Sequence, residues 1–166
     1  EGENLKNLLP SIQQIMDASS YTYEVLVCDT REPMDDTKDI CLQNGVRHVP
    51  RRGGNMYGDA IRTWFAEANG TYSVVMDCDG SHEPKELIPM LARADSGADL
   101  VIGSRYVKGG HTDNNAILRF MSFCVNLAYR FIFGLKVHDV SDSFRVYRTE
   151  QVKPLNLECD NFDLVE

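Results

Sequence analysis

The sequence lacks three features that would each indicate a particular class of protein. It has no excess of positive charge, because 25 Asp and Glu outnumber 17 Lys and Arg and give a formal net charge of −8. We therefore expect no nucleic-acid partner, since such binders need a basic surface. It has no uncharged apolar run long enough to cross a bilayer. Its five cysteines contain no Cys-x-x-Cys pair, which fits a reducing compartment and predicts a cytoplasmic protein.

Short apolar runs alternate along the chain with longer stretches whose apolar residues recur at helical spacing. The short runs predict strands at residues 24–29, 46–49, 72–76, 99–103 and 144–148. The longer stretches predict helices at residues 3–18, 36–44, 60–68, 87–94 and 116–133. This alternation predicts an α/β fold with a mostly parallel sheet flanked by helices.

The beginning and end of the sequence do not fit a finished fold of this class. A parallel α/β domain normally begins with a central strand, whereas this sequence opens in a helix and ends in an acidic segment. We therefore expect a single catalytic domain over residues 1–166 that lacks its first strand and is truncated at both ends.

Two carboxylates follow a strand that is apolar on both faces. Residues 74–76 are Val-Val-Met, and Asp77 and Asp79 come directly after them, where open α/β sheets place their ligands. Charges so close repel each other unless a cation neutralises them. The pattern therefore predicts a site where these carboxylates, with the hydroxyl of Ser81 nearby, share a divalent cation with a phosphate. We expect the neighbouring His82 to be a surface or capping residue.

Several other features are weak when each is taken alone. Asp29 ends a predicted strand but could equally be a turn residue, and the basic glycine-rich stretch at residues 51–54 could be a solvated turn. Arg105 follows another predicted strand in the stretch Gly-Ser-Arg. We interpret helix 116–133, the most apolar of the chain, as a core or packing helix, and contact with a membrane interface is the less favoured interpretation.

The order of these features resembles the family 2 glycosyltransferases, and most closely their polyprenyl-phosphate branch, which includes the dolichol-phosphate mannosyltransferases. Residues 74–84 match the pattern Val-Met-Asp-x-Asp-x-x-His-x-Pro of that branch, and residues 98–110 match the block that follows its fourth helix. Residues 52–60 are similar to its glycine-rich segment. Residues 137–148 resemble its Asp-x-x-Ser-Gly-Phe-Arg-x-Tyr-Arg block, although Ser143 replaces the glycine.

The resemblance implies a GT-A fold, a nucleotide-sugar donor, a divalent metal and inversion at the sugar carbon. It assigns the metal, Mg²⁺ or Mn²⁺, to Asp77, Asp79 and Ser81. It assigns the nucleotide sugar to Glu1, Asp29, Arg52, Gly54, Asp77 and Arg145. It assigns the acceptor phosphate to Arg105, Ser122 and Arg148, and catalysis to Asp79, Arg105 and Arg119.

The reaction implied by the resemblance is transfer of mannose or glucose from GDP-mannose or UDP-glucose to a polyprenyl (dolichyl-type) phosphate. A lipid acceptor also implies peripheral contact with the cytosolic face of a membrane. Two alternatives remain open. A nucleotidyltransferase would also use strand-end aspartates and Mg²⁺. A degenerate, non-catalytic nucleotide-sugar-binding domain would fit Thr30, which stands where the family has a second aspartate.

Overall fold

The structure, a computed structural model, describes residues 2–105, 107, 116–134, 137 and 139–161. Every predicted strand and helix is present, which confirms the α/β class. The helices are α1 (Gly2–Asp17), α2 (Thr37–Gln43), α3 (Tyr57–Glu67), α4 (Leu87–Asp95), α5 (Ala116–Phe133) and α6 (Thr149–Val152). The strands are β1 (Leu26–Asp29), β2 (Arg47–Pro50), β3 (Tyr72–Val75), β4 (Leu100–Ile102) and β5 (Arg145–Arg148). Helix α6 was not expected from the sequence, and a 3-10 turn at Pro84–Glu86 leads into α4.

The strands form one parallel pair and one group of three. β1 and β2 pair in parallel, with Leu26 opposite Arg47. β5 lies between β3 and β4 and runs antiparallel to both. β3 and β4 therefore share a direction, as predicted, and β5 is an antiparallel insertion that the sequence did not indicate. Because Arg145 lies opposite both Val75 and Ile102, the chain enters β5 beside the carboxyl ends of β3 and β4.

Helices cover both faces of the three-stranded group. On one face, Leu87 and Leu91 of α4 pack with Val146 of β5 in a buried cluster that Val74 also contacts. On the other face, α3 and α6 form a second cluster that Val75 and Tyr147 contact. Neighbouring residues of a strand point to opposite faces, so this division follows from the pleat. It also explains why the residues at the end of β3 are apolar on both faces of the sheet.

Helix α1 packs its apolar stripe on the parallel pair. Leu5, Leu8 and Leu9 are buried and lie on one side of the helix, as expected from their spacing. They form a cluster with Val27 of β1 and Ile40 of α2. Met76 and Cys78, which follow β3, pack against the same cluster. The carboxyl ends of β1 and β3 therefore lie near each other.

The interpretation of α5 as a core helix is wrong for the side chains that the structure describes, which are those of residues 120–132. Seven large apolar side chains of this helix are exposed: Phe120, Met121, Phe123, Val125, Leu127, Phe131 and Ile132. Asn126 is the buried residue on this stretch, at 3% exposure. At 3.6 residues per turn, Asn126 lies opposite the arc that carries the apolar side chains. Within the described residues, no helix is both long and apolar enough to span a membrane.

Candidate active site

Asp77 and Asp79 lie just beyond the carboxyl end of β3, and each is held by a neighbour. The hydroxyl of Ser143 donates to Oδ2 of Asp77. The backbone N–H of Ser81 donates to Oδ1 of Asp79 at 2.8 Å. Hydrogen bonds from Ser81 lower the pKa of Asp79 below its ordinary value, so this carboxylate is ionised at neutral pH. Both side chains thus offer oriented carboxylate oxygens at the edge of the sheet.

The donor set of this edge fits a divalent cation that is shared with a phosphate. Asp77 and Asp79 supply two hard oxygen ligands, and Mg²⁺ in proteins is commonly held by one or two carboxylates together with substrate phosphates. In the part of the chain that the structure describes, no three His, Cys, Asp or Glu side chains form a complete metal cage. The remaining ligands would therefore come from a diphosphate and water. Ser81, the third predicted ligand, hydrogen-bonds Asp79.

His82 is a part of the site that the sequence analysis missed, and the expectation of a surface or capping residue is wrong. Its side chain is only 10% exposed. Its Nδ1 accepts the backbone N–H of Asp77 at 3.0 Å, and its Nε2 lies 3.7 Å from Oδ1 of Asp142. The imidazole stacks on Phe144, with ring centroids 4.9 Å apart. His82 therefore fixes the backbone from which Asp77 projects.

Replacing His82 with Phe should lower the free energy of unfolding by about 1–3 kcal/mol, because the partly buried N–H of Asp77 loses its acceptor. Phe keeps the stacking on Phe144, so the loss reports the hydrogen bond rather than the packing. His82→Asn offers a side-chain oxygen near the position of Nδ1 and should recover part of the stability. Urea unfolding of the three proteins checks this, and equal stability of the Phe and His forms would contradict it.

Arg105 follows β4 and makes a paired contact with the fully buried Asp139. Its Nε and one terminal nitrogen donate to the two carboxylate oxygens at 2.8 and 2.9 Å, and its backbone N–H donates at 3.2 Å. Burial by itself raises the pKa of Asp139, but the hydrogen bonds and charge of Arg105 outweigh it and hold that pKa below its ordinary value. The guanidinium is therefore held in a fixed orientation at the same edge as Asp77.

Residues 139–144, here called the bridging loop, connect Asp77 to Arg105. At one end Asp139 binds Arg105, and at the other Ser143 binds Asp77. Asp142 lies between them, 3.3 Å from Nε of Arg105, and burial raises its pKa. The loop is also attached to α5, because Oδ1 of Asn126 accepts the N–H of Val140 at 2.7 Å. One loop thus positions three parts of the predicted site.

Three of the residues predicted for the nucleotide lie at the carboxyl end of β1 and in the loop that follows β2. Asp29 contacts Nε2 of His48 at 3.0 Å and accepts the N–H of Thr30 at 2.7 Å. Arg52 is exposed and pairs with Glu67. Gly54 packs so closely on Asp59 that a Cβ there would lie 2.7 Å from a carboxylate oxygen, which accounts for the glycine.

Two predicted arginines have other partners. Arg145 is buried, and its guanidinium donates to the carbonyls of Val140 and Asp142, so it shapes the bridging loop. Arg148 lies at the opposite end of β3, stacked over the ring of Tyr72. Three residues of strand, about 10 Å, separate it from Arg145. The structure therefore does not bring Arg148 to the edge where Asp77 lies.

Three further predicted residues are constrained less by the structure. Ser122 is half-buried on α5, the helix that anchors the bridging loop. Arg119 belongs to the first turn of α5, and its side chain lies outside the described part. Glu1 also lies outside the described residues. The assignments of these residues remain predictions.

A cavity of about 180 Å³ beside the site is lined by Tyr57, Val75, Ser143 and Arg145, among others. Burial, reinforced by the charge of Asp77, raises the pKa of Tyr57 to about 12, so this phenol is neutral at physiological pH. The start of α3 therefore lies close to Asp77, although the sequence did not indicate Tyr57. Tyr57 comes close to this edge only through the tertiary fold, and no local sequence motif indicates that contact.

Comparison with known proteins gives a consistent set of relatives. The profile of glycosyl transferase family 2 matches residues 2–155. A dolichol-phosphate mannosyltransferase from Pyrococcus furiosus is 31% identical over 172 aligned positions, covering 99% of this chain and 48% of that protein. An undecaprenyl-phosphate mannosyltransferase from Micrococcus luteus is 40% identical over 146, covering 82% and 59%. A polyprenol monophosphomannose synthase from Mycolicibacterium smegmatis is 45% identical over 97, covering 58% and 37%.

Solved structures agree on the fold. Glucosyl-3-phosphoglycerate synthase from Mycobacterium tuberculosis, in complex with Mn²⁺, UDP-glucose and phosphoglyceric acid, superposes with a TM-score of 0.71 at 18% identity. The match covers 99% of this chain and 58% of that one, and it supports the predicted GT-A-like fold. The chain spans about half the length of the curated relatives it matches. Because the family profile covers nearly all of it, the chain belongs to glycosyl transferase family 2.

Proposed function

We propose that the protein transfers a hexose, mannose or glucose, from GDP-mannose or UDP-glucose to a polyprenyl phosphate, with inversion at the sugar carbon. The observation that carries this proposal is the bridging loop. It holds Asp77, one of two carboxylates suited to a metal-bound diphosphate, on one side and an arginine suited to a phosphate on the other. Relatives named as polyprenyl-phosphate mannosyltransferases support the choice of acceptor.

In the proposed reaction an oxygen of the lipid phosphate attacks the anomeric carbon of the sugar. The bond from that carbon to the nucleoside diphosphate breaks, and the diphosphate leaves with the bonding electrons. A phosphate acceptor is already an anion, so no general base has to remove a proton. This suits the site, where Asp139 is paired with Arg105 and Asp142 is buried beside it.

The chain's own residues would orient both substrates. Asp77 and Asp79 would hold Mg²⁺ or Mn²⁺, and the metal when bound would offset the charge that develops on the diphosphate. Arg105 would bind the acceptor phosphate, for which a guanidinium has matching geometry. Asp139 keeps that guanidinium oriented before the acceptor arrives. Asp29, Arg52, Gly54 and Arg145 remain our candidates around the nucleotide.

The test is transfer of labelled sugar from GDP-mannose or UDP-glucose to a polyprenyl phosphate in detergent, with and without a chelator. Labelled sugar that appears in the organic phase only with metal and with one of the two donors supports the proposal. Release of diphosphate from a nucleoside triphosphate and a sugar phosphate would instead indicate a nucleotidyltransferase. Metal-dependent binding of a nucleotide sugar without transfer or hydrolysis would indicate a degenerate binding domain.

The apolar arc of α5 is our proposed contact with the membrane that carries the acceptor. Phe120, Phe131 and Ile132 are 67%, 81% and 73% exposed. Isolated exposed apolar residues are common, but seven on one helix form a continuous surface. Asn126 attaches the opposite side of this helix to the bridging loop. The arc and the bridging loop therefore lie on opposite sides of α5, one helix diameter, roughly 10 Å, apart.

Replacing Phe120, Phe131 and Ile132 together with Ser should reduce the fraction bound to phosphatidylcholine vesicles at least about tenfold. Burial of a single large apolar side chain contributes about 1.5–3 kcal/mol, and about 1.4 kcal/mol already corresponds to tenfold. Flotation of vesicles with protein measures this. Replacement of Met34 and Leu42, which are exposed elsewhere at 81% and 78%, is the matched control. Equal flotation of all three proteins would contradict the membrane contact.

A further inference from the structure

The two carboxylates beyond β3 are held in different ways. Asp77 is half-buried and is fixed at two points, because Nδ1 of His82 accepts its backbone N–H at 3.0 Å and the hydroxyl of Ser143 donates to its Oδ2. Asp79 is exposed and accepts the N–H of Ser81, which belongs to the same turn. The side chain of Asp77 is therefore anchored by a residue 66 positions away, whereas the contact of Asp79 is local.

Ser143 lies in a well-fixed part of the bridging loop. Before it, the carbonyl of Asp142 accepts Nε of Arg145 at 2.7 Å, and the carboxylate of Asp142 accepts the N–H of Phe144 at 2.8 Å. After it, Phe144 is buried, and its carbonyl accepts the N–H of Gly103 at 2.8 Å. A Cβ on Gly103 would lie 3.1 Å from the ring of Phe144, so these two residues pack closely. The hydroxyl of Ser143 is therefore presented to Asp77 from a rigid backbone.

This hydrogen bond makes the two oxygens of Asp77 unequal. Oδ2 already accepts the hydroxyl of Ser143, so Oδ1 is the oxygen that can approach a cation without losing that bond. Mg²⁺ requires nearly octahedral ligands at about 2.0–2.1 Å, whereas Ca²⁺ at about 2.3–2.6 Å readily takes both oxygens of one carboxylate. A carboxylate that is anchored through one oxygen therefore suits the smaller cation.

We propose that Ser143 is a positioning residue for the metal. Its hydroxyl anchors Oδ2 of Asp77, so that this carboxylate binds the cation through Oδ1 alone, and the site thereby favours Mg²⁺ or Mn²⁺ over Ca²⁺. The inference rests on the metal site of the proposed function. The family pattern has glycine in place of Ser143, and glycine has no hydroxyl, so this anchor is a feature of this chain.

The test measures metal binding rather than turnover. The affinity for Mn²⁺ is measured by the relaxation of water protons in the presence of GDP or UDP, and the affinities for Mg²⁺ and Ca²⁺ by displacement of the bound Mn²⁺. Ser143→Ala removes the hydroxyl, and Ser143→Thr keeps it. Ser141→Ala is the matched control for metal affinity, because Ser141 lies on the same loop but its hydroxyl contacts Asp139 and Arg105. Asp77→Ala reports whether the bound Mn²⁺ occupies the proposed site.

Ser143→Ala should weaken the binding of Mn²⁺ and Mg²⁺ about tenfold, a loss typical when a ligating group loses its hydrogen-bond partner, and that of Ca²⁺ by no more than about twofold. Ser143→Thr and Ser141→Ala should both keep the wild-type ratio of Mn²⁺ to Ca²⁺ affinity. A general loss of structure would weaken all three cations alike, so this ratio distinguishes positioning from folding.

An unchanged ratio in Ser143→Ala, or the same loss in Ser143→Thr, overturns the inference. If Asp77→Ala abolishes Mn²⁺ binding at the same time, the metal site of the proposed function stands without it. A wild type that binds no Mn²⁺ with either nucleotide, or that binds it as well as Asp77→Ala does, overturns the metal site itself and the role of Ser143 with it.

Discussion

Asp79→Ala is expected to lower sugar transfer about 10²–10³-fold, the loss typical of removing one electrostatic stabiliser of a developing charge. In the proposed reaction this carboxylate helps to hold the metal that offsets the leaving diphosphate. Asp79 is exposed, and its side chain accepts a hydrogen bond from Ser81, two residues further along the chain. The free energy of unfolding should therefore fall by no more than about 1 kcal/mol.

Two further measurements distinguish a loss of metal binding and catalysis from a loss of structure. Mn²⁺ binding, followed by the relaxation of water protons in the presence of the nucleoside diphosphate, should weaken in Asp79→Ala. Glu150→Ala removes an exposed carboxylate from α6, at the opposite end of β3, and should change neither activity nor metal binding. Full activity of Asp79→Ala would remove Asp79 from the proposed mechanism, whatever the outcome for membrane binding.

The features that sequence could predict are those that local pattern determines. The strands and main helices follow from apolar spacing, and the place of Asp77 and Asp79 follows from their position after a strand that helices cover on both faces. The direction of β5 could not be predicted, because its pairing with β3 joins residues more than 60 positions apart. The contacts of His82 with Asp142 and of Arg105 with Asp139 depend on that pairing, so no local motif reveals them.

Helix α5 and Arg148 illustrate a second reason why the structure differs from what the sequence predicts. An apolar pattern shows that a helix side avoids water but does not show what covers it, so the sequence of α5 fits a core helix and an interfacial helix equally well. Arg148 has the residue type expected for a phosphate site. The register of β5, however, places it beside Tyr72 rather than at the carboxyl edge. Residue type indicated the chemistry, and register decided the location.

Arg105→Met is expected to lower the free energy of unfolding by about 3–5 kcal/mol at neutral pH, because it leaves the fully buried carboxylate of Asp139 without its counter-ion. The partner of Arg105 thus makes this residue structural as well as a candidate for phosphate binding. Adding Asp139→Asn to Arg105→Met removes the unpaired charge and should restore most of the lost stability. Urea unfolding of the single and double variants measures the coupling between the two residues.

The pH dependence of the free energy of unfolding should identify the buried charge of Asp139 as the cause of the lost stability. In the wild type the pKa of Asp139 lies below its unfolded value of about 3.9, so its contribution is present above that pH and is lost as pH falls through the folded pKa. In Arg105→Met the charge and side-chain hydrogen bonds of the guanidinium are lost, and only the backbone N–H of residue 105 and the hydroxyl of Ser141 still oppose burial. Burial then raises the pKa of Asp139, so stability is lost as pH rises through it.

Asp142 and His82 lie beside the pair in both proteins. Above about pH 4, where the wild-type contribution of Asp139 is complete, the stability difference from the wild type should widen toward neutral pH in the single variant and stay nearly constant in the double variant. A single-variant difference that is independent of pH in this range would contradict this explanation.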